Sequence, residues 1–174
     1  MDNLTLERIK TLHPDVRTEA LQMYTEICSV LPKNVICRFA HTLRTNEEQN
    51  QLYAQGRTKL FDSKGKRLGI VTNAKGGQSY HNYGLAIDIV LLVDRDGNGT
   101  YESASWDING DFDKDGVADW NEITKIFLKY GWNYLIDKKG KRWDFPHFQK
   151  TFGKTIKQLQ TIKKQPGTSY PLFK

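Results

Sequence analysis

Two side chains capable of chemistry sit where packing alone would not put them. The segment SYHNYGLAIDIVLLV, residues 79–93, is rich in Ile, Val and Leu from Gly84 onward and reads as a largely buried strand. His81 lies at its mouth and Asp88 in its middle. An ionised carboxylate withdrawn from water is costly unless a cation or several hydrogen-bond donors hold it, so Asp88 needs a partner.

A metal ion is one candidate partner. Zinc hydrolases draw three ligands from His, Asp, Glu and Cys and keep a fourth position open. On a strand Asp88 faces the side of Ala86 and Val90, and Gly84 allows a bend that brings His81 round to that side. His147, in the stretch WDFPHF at 143–148, is the candidate third ligand. Asp144 would then be an unligated carboxylate able to act as general base on a water molecule. Pro146 argues against a helix here, so the offset of three between Asp144 and His147 requires a bend in the chain. A competing reading pairs Asp88 with a buried arginine such as Arg44 and leaves the histidines incidental. Of the other histidines, His13 precedes Pro14 and reads as an exposed turn. His41 shares a strand face with Cys37, Phe39 and Leu43 and reads as a core or edge residue.

A second constellation is acidic. In DFDKDGVADWNE, residues 111–122, Asp111, Asp113, Asp115, Gly116, Asp119 and Glu122 fall at positions 1, 3, 5, 6, 9 and 12 of an EF-hand calcium loop. Val117 would offer its backbone carbonyl at position 7. The preceding SASWDING does not resemble an entering helix, so the loop is EF-hand-like. Residues 94–105 repeat the register with Asp94, Asp96, Asn98, Gly99 and Glu102, but position 12 is Ser105, which cannot supply a bidentate carboxylate. Calcium is therefore expected at 111–122, with a weaker case at 94–105.

The elements that must carry these residues are legible from periodicity. Val16, Leu21, Tyr24, Ile27 and Leu31 recur at three- and four-residue steps, predicting an amphipathic helix over 15–31 that Pro32 helps to stop. Val35, Cys37, Phe39 and Leu43 alternate as in a strand. Thr45 and Glu48 have capping-box spacing for a helix over 46–55 ending at Gly56. Residues 57–78 read as a long loop or loose hairpin of the kind that often binds ligands. A helix is predicted from Asn121 to Tyr130 with Gly131 as its stop, a turn at 138–142, and an amphipathic helix over 152–162 packed on the body rather than lying on a membrane. Helices and strands without a regular βαβ rhythm indicate an α+β fold with a small, mostly antiparallel sheet.

Whole-chain properties bound the function. The 174 residues suit one domain, 1–174, with the acidic insertion at about 94–122. A net charge of +6 favours an acidic partner such as nucleic acid, anionic lipid or a cell-wall polymer. No basic run interleaved with aromatics suggests a nucleic-acid platform. Cys28 and Cys37 read as buried free thiols. The sequence contains no long apolar run and no basic-then-apolar N-terminal segment, so the expectation is synthesis in the cytoplasm without a signal peptide and no stable membrane insertion.

Ser79-x-His81-x-x-Gly84-x-Ala86-x-Asp88 resembles the first motif of the zinc D-alanyl-D-alanine carboxypeptidase and L-alanyl-D-glutamate endopeptidase family, and Asp144-x-x-His147 resembles the second. TLRTNEEQNQLYAQGRT at 42–58 is similar to the family's upstream segment, in the form typical of the endopeptidase branch found in phage lysins. The resemblance spans roughly residues 10–150. It implies a Hedgehog/DD-peptidase fold, a zinc ion held by His81, Asp88 and His147, and Asp144 as catalytic acid and base. Arg44 is implicated in stabilising an oxyanion or holding a substrate carboxylate, and Arg57 and Ser79 are candidate substrate contacts.

The expected function is a monomeric, phage-type peptidase cleaving the L-alanyl-D-glutamate bond of the peptidoglycan stem peptide, released to the wall through a holin-type lesion. A D-alanyl-D-alanine carboxypeptidase is the enzymatic alternative. A non-catalytic metal-binding domain on the same fold is the alternative of another class.

Overall fold

The computed structural model describes residues 1–173. In chain order it contains α1 (Asn3–Lys10), α2 (Pro14–Val30), β1 (Val35–His41), α3 (Asn46–Ala54), a short 3-10 helix (Tyr80–Tyr83), β2 (Ala86–Val93), β3 (Ser103–Ser105), α4 (Asp119–Lys129), β4 (Asn133–Ile136), β5 (Arg142–Gln149) and α5 (Ile156–Thr161). The strands form one antiparallel sheet in the order β1-β2-β5-β4, with β3 paired to the far end of β2. This is the α+β architecture that the mixed periodicities predict.

Strand β2 is central, and its alternation divides the molecule into two sides. Ile87, Ile89, Leu91 and Val93 point into the core, where Val16, Ala20, Met23, Tyr24 and Ile27 of α2 and Ile123, Ile126 and Phe127 of α4 cover them. Phe127 stacks on Phe148 of β5 with ring centroids 3.9 Å apart and planes 12° from parallel. That contact locks α4 onto the strand that carries Asp144 and His147. The opposite side of β2 carries Asp88.

Helix α3 begins at the predicted capping box: Thr45 Oγ1 accepts the Glu48 N–H, and Glu48 accepts from the Thr45 backbone. Residues 57–78 form a loose hairpin with a single bridge between Phe61 and Arg67. Helix α1 was not legible from apolar spacing. It is held instead by Asp2, whose carboxylate accepts the Thr5 N–H and also receives two bonds from Arg38 on β1. The last helix is shorter than its periodicity predicts, because Phe152 and Gly153 both take positive φ and the chain turns before Thr155 can cap it. Among the described residues no helix is long and apolar enough to cross a membrane.

Two histidine expectations are overturned. His13 is fully buried rather than exposed: it caps α2, its Nδ1 accepting the Asp15 N–H, while Nε2–H donates to the Pro171 carbonyl at 2.7 Å. The C-terminal segment folds back over it, which no local signal could show. His41 leaves the core face because the β1–β2 pairing slips between Phe39 and His41, and the bulge turns the imidazole outward.

Candidate active site

The chain positions His81 and Asp88 by different means. Asp88 is fixed by the β2 ladder, directly opposite His147 on β5 and His41 on β1. His81 stands on the short 3-10 helix, whose N-terminus is capped by Ser79 and whose end is turned by Gly84 at φ +65°. A Cβ at Gly84 would lie 2.6 Å from the His13 backbone nitrogen, so only glycine fits the turn. Asn82, buried beneath the same helix, accepts the N–H groups of Gly77 and Ser79 and donates to the carbonyls of Arg44 and Thr45. The 79–84 and 42–45 segments are thereby tied together.

Three ligand atoms converge. Asp88 Oδ1 lies 3.1 Å from His81 Nε2 and 2.9 Å from His147 Nδ1, and the two ring nitrogens are 3.3 Å apart. The outward nitrogens are engaged too: His81 Nδ1–H donates to the Thr42 carbonyl at 2.6 Å, and His147 Nε2–H to Gln149 Oε1 at 3.1 Å. A carbonyl can only accept, so neutral imidazoles bonded this way aim their lone pairs at Asp88. Two lone pairs and a carboxylate facing one another repel unless a cation lies among them. Burial alone would raise the Asp88 carboxyl, yet positive charge on the facing His81 and His147 lowers it well below the usual carboxylate range, so the buried anion is favoured only with a proton or a cation between it and the imidazoles. Two imidazoles and one carboxylate, each histidine steadied by an outer acceptor, form a donor set that could hold a metal ion.

The two oxygens of the buried carboxylate have different neighbours. While Oδ1 faces the histidines, Oδ2 lies 3.4 Å from Arg44 Nη2. Arg44 is steadied by Gln49, a fully buried side chain that accepts from Nη1 at 3.0 Å and donates to the Ala74 carbonyl. Sequence reasoning missed Gln49 and Gln149. Gln149 had a usable signal, two residues beyond His147 on the same strand face, whereas Gln49 looked like any polar residue on a helix.

Asp144 enters the same cleft by an irregularity. Opposite β4, Tyr134 pairs with Phe148 but Leu135 pairs with Asp144, so residues 145–147 are skipped. This wide bulge supplies the bend that the offset of three requires and accommodates Pro146 inside the sheet. Burial, reinforced by the charge of Asp88, raises the Asp144 carboxyl above the ordinary aspartate range despite the opposing influence of His147. A half-buried carboxylate with a raised pKa is suited to taking up a proton and giving it back. The cleft, about 790 Å³, is lined by His41, Arg44, His81, Asp88, Asp144 and His147 on its floor and by exposed Ile70, Val71 and Trp143 at its rim.

The remaining predicted contacts divide. Ser79 lines the cleft, with its hydroxyl facing the His81 N–H at the helix cap. Arg57 does not line it: the guanidinium stacks on Tyr53 at 4.0 Å and bonds the carbonyls of Tyr53 and Thr72 and the Asn73 side chain. Its geometry is that of a clasp holding the Thr72–Asn73 wall of the cleft.

Away from the cleft, Asp111, Asp113 and Asp115 converge at the start of α4. Asp111 accepts the N–H groups of Lys114, Asp115 and Gly116, and Gly116 takes φ +90°. Residues 94–99 wrap around Asp94 in the same manner. Cys28 and Cys37 are free thiols, half-buried and buried.

Comparison with known proteins points the same way as the cleft. The family model described as D-alanyl-D-alanine carboxypeptidase matches residues 72–150, which include His81, Asp88, Asp144 and His147. Over 138 residues the chain is 38% identical to the peptidoglycan L-alanyl-D-glutamate endopeptidase CwlK of Bacillus subtilis (strain 168), covering 79% of this chain and 72% of that relative.

Proposed function

Because the chain belongs to the D-alanyl-D-alanine carboxypeptidase and L-alanyl-D-glutamate endopeptidase family of metallopeptidases, we propose that it is a zinc-dependent peptidoglycan peptidase cutting the L-alanyl-D-glutamate bond of the stem peptide. The observation that carries the reading is the convergence of His81, Asp88 and His147 with both outward ring nitrogens already bonded, beside a separate carboxylate on the same wall. The choice of bond rests on the Bacillus subtilis relative, an L-alanyl-D-glutamate endopeptidase.

His81, Asp88 and His147 would hold the metal. Zinc in such a site polarises the scissile carbonyl and makes water nucleophilic near neutral pH. Asp144 accepts the proton of the attacking water and returns it to the leaving amine, so that one carboxylate serves as base and then acid. Arg44, whose planar guanidinium is aimed by Gln49, places a fixed positive charge beside Asp88, where it can meet a substrate carboxylate or the developing oxyanion. The Trp143 and Ile70–Val71 rims confine the peptide between them.

Digestion of purified sacculi by the wild type and by Asp144→Ala, with mass spectrometry of the released muropeptides, tests the proposal. New L-alanine C-termini and D-glutamate N-termini from the wild type alone are expected. Equal release by both proteins would remove Asp144 from the mechanism, and loss of a terminal D-alanine instead would assign the carboxypeptidase reaction.

A further inference from the structure

We infer that residues 111–122 form a calcium site, built on the N-terminus of α4 and separate from the catalytic cleft. The inference does not depend on the zinc reading or on the bond that is cut.

A cluster of three aspartates, Asp111 half-buried and Asp113 and Asp115 exposed, would not by itself point to an ion. What does so is the fate of the two carboxylates that close the loop. Asp119, fully buried at the first turn of α4, spends Oδ2 on the Phe112 N–H at 3.0 Å and leaves Oδ1 buried with no partner among the described residues. Glu122, one turn further, leaves Oε2 buried and equally unpartnered. An orphaned buried carboxylate oxygen is rare in a folded protein and calls for an ion or a water. Here two of them occupy the ninth and twelfth positions of a loop whose first, third and fifth positions already converge. Those last two positions complete an EF-hand coordination shell, the twelfth with both carboxylate oxygens.

Electrostatics agree with the geometry. Burial and then the charges of Asp113 and Asp111 raise the Asp119 carboxyl, and burial followed by Asp115, Asp113 and Asp119 raises that of Glu122. Asp111, Asp113 and Asp115 converge, Asp119 and Glu122 lie within range of their charge, and among the described residues no arginine or lysine forms an ion pair with any of the five. A divalent, oxygen-seeking cation removes that repulsion in one step.

The neighbouring loop is an internal control. Residues 94–105 show the same wrapping of backbone N–H groups around their first aspartate, but Glu102 already accepts from the Thr100 hydroxyl and the twelfth position is Ser105 in β3. It has no orphaned carboxylate. Wrapping alone therefore does not mark a site, and the proposal is confined to 111–122.

Calorimetric titration of the zinc-loaded, calcium-free protein with calcium chloride tests this, using Glu122→Gln and Asp96→Asn beside the wild type. The wild type and Asp96→Asn are expected to bind one calcium each, with a raised melting temperature and slowed amide exchange over 110–124. Glu122→Gln should lose binding by at least ~10-fold, since the bidentate ligand is gone. In calcium-free buffer Glu122→Gln should melt no lower than the wild type, because it relieves repulsion, which separates loss of a ligand from loss of fold. Absence of binding up to about 10 mM calcium, beyond the weakest extracellular modules, would overturn the inference, as would binding that survives in Glu122→Gln and vanishes in Asp96→Asn.

Discussion

Asp144 and His147 stand three residues apart on one strand and face one cleft, because residues 145–147 of β5 have no partners on β4. In a regular strand they would point to opposite sides of the sheet. The bulge therefore does for this site what a helical turn does elsewhere, while keeping His147 in register with Asp88.

Replacing Asp144 by Asn keeps the bulge and removes the proton acceptor. We expect kcat on a stem peptide to fall ~10²- to 10⁴-fold, the range for loss of a general base, with zinc stoichiometry unchanged by elemental analysis. A variant that loses metal together with activity would make Asp144 a ligand instead.

Gln149→Ala should weaken zinc binding ~10- to 100-fold, the usual consequence of losing an outer partner of a ligating histidine. The His147 Nε2–H would have lost its acceptor and the ring would be free to turn. Competition with a chromogenic chelator measures this, and an unchanged zinc affinity would leave Gln149 without the orienting role.

At Gly84 an alanine would have to hold φ +65° with its Cβ 2.6 Å from the His13 nitrogen. Destabilisation of ~1–3 kcal/mol is expected for a non-glycine residue forced into such a position, read as a lowered denaturant midpoint. Zinc affinity should drop with it, because Gly84 ends the helix that carries His81.

Stability should weaken in acid through Asp2. Burial alone would raise its carboxyl, but hydrogen bonds from Arg38 and Thr5 outweigh burial and leave it below the ordinary 3.8. The folded-state value is depressed, so the contribution is fully present above the unfolded value and is lost as pH falls through the folded one. Wild type and Asp2→Asn should therefore differ by ~1–3 kcal/mol at neutral pH, typical of charge-assisted hydrogen bonds, and converge below pH 3.8. A difference that stays constant through that range would show that the ion pair is not the source.

The sequence carried β2, α2 and the capping box of α3 because their signals are local. The positions of His13 and His41 were not readable for opposite reasons. His13 is buried by the C-terminal segment, whose docking is a tertiary event. His41 is turned by a bulge, a one-residue slip that leaves no mark on composition. The ligand candidates were legible because a charged residue inside an apolar strand is anomalous on its face. Gln49 carries no such anomaly, being one polar residue among several on a helix, whereas Gln149 was marked only by its place two residues beyond His147. Arg57 misled in the reverse direction: an arginine in a loop beside a binding cleft looks available, but the ring and carbonyl of Tyr53 and two loop oxygens already occupy it.

The register that sets His147 opposite Asp88 joins points 59 residues apart in the chain. The chain between them runs out past the end of β2, adds β3 and β4 to the sheet and returns through β5, so both acidic loops and α4 lie within a single excursion. Closure entropy grows only with the logarithm of loop length, which makes this the place where a lineage can lengthen the chain without moving a ligand. Catalytic geometry and accessory loops can in this way evolve at different rates within one continuous polypeptide.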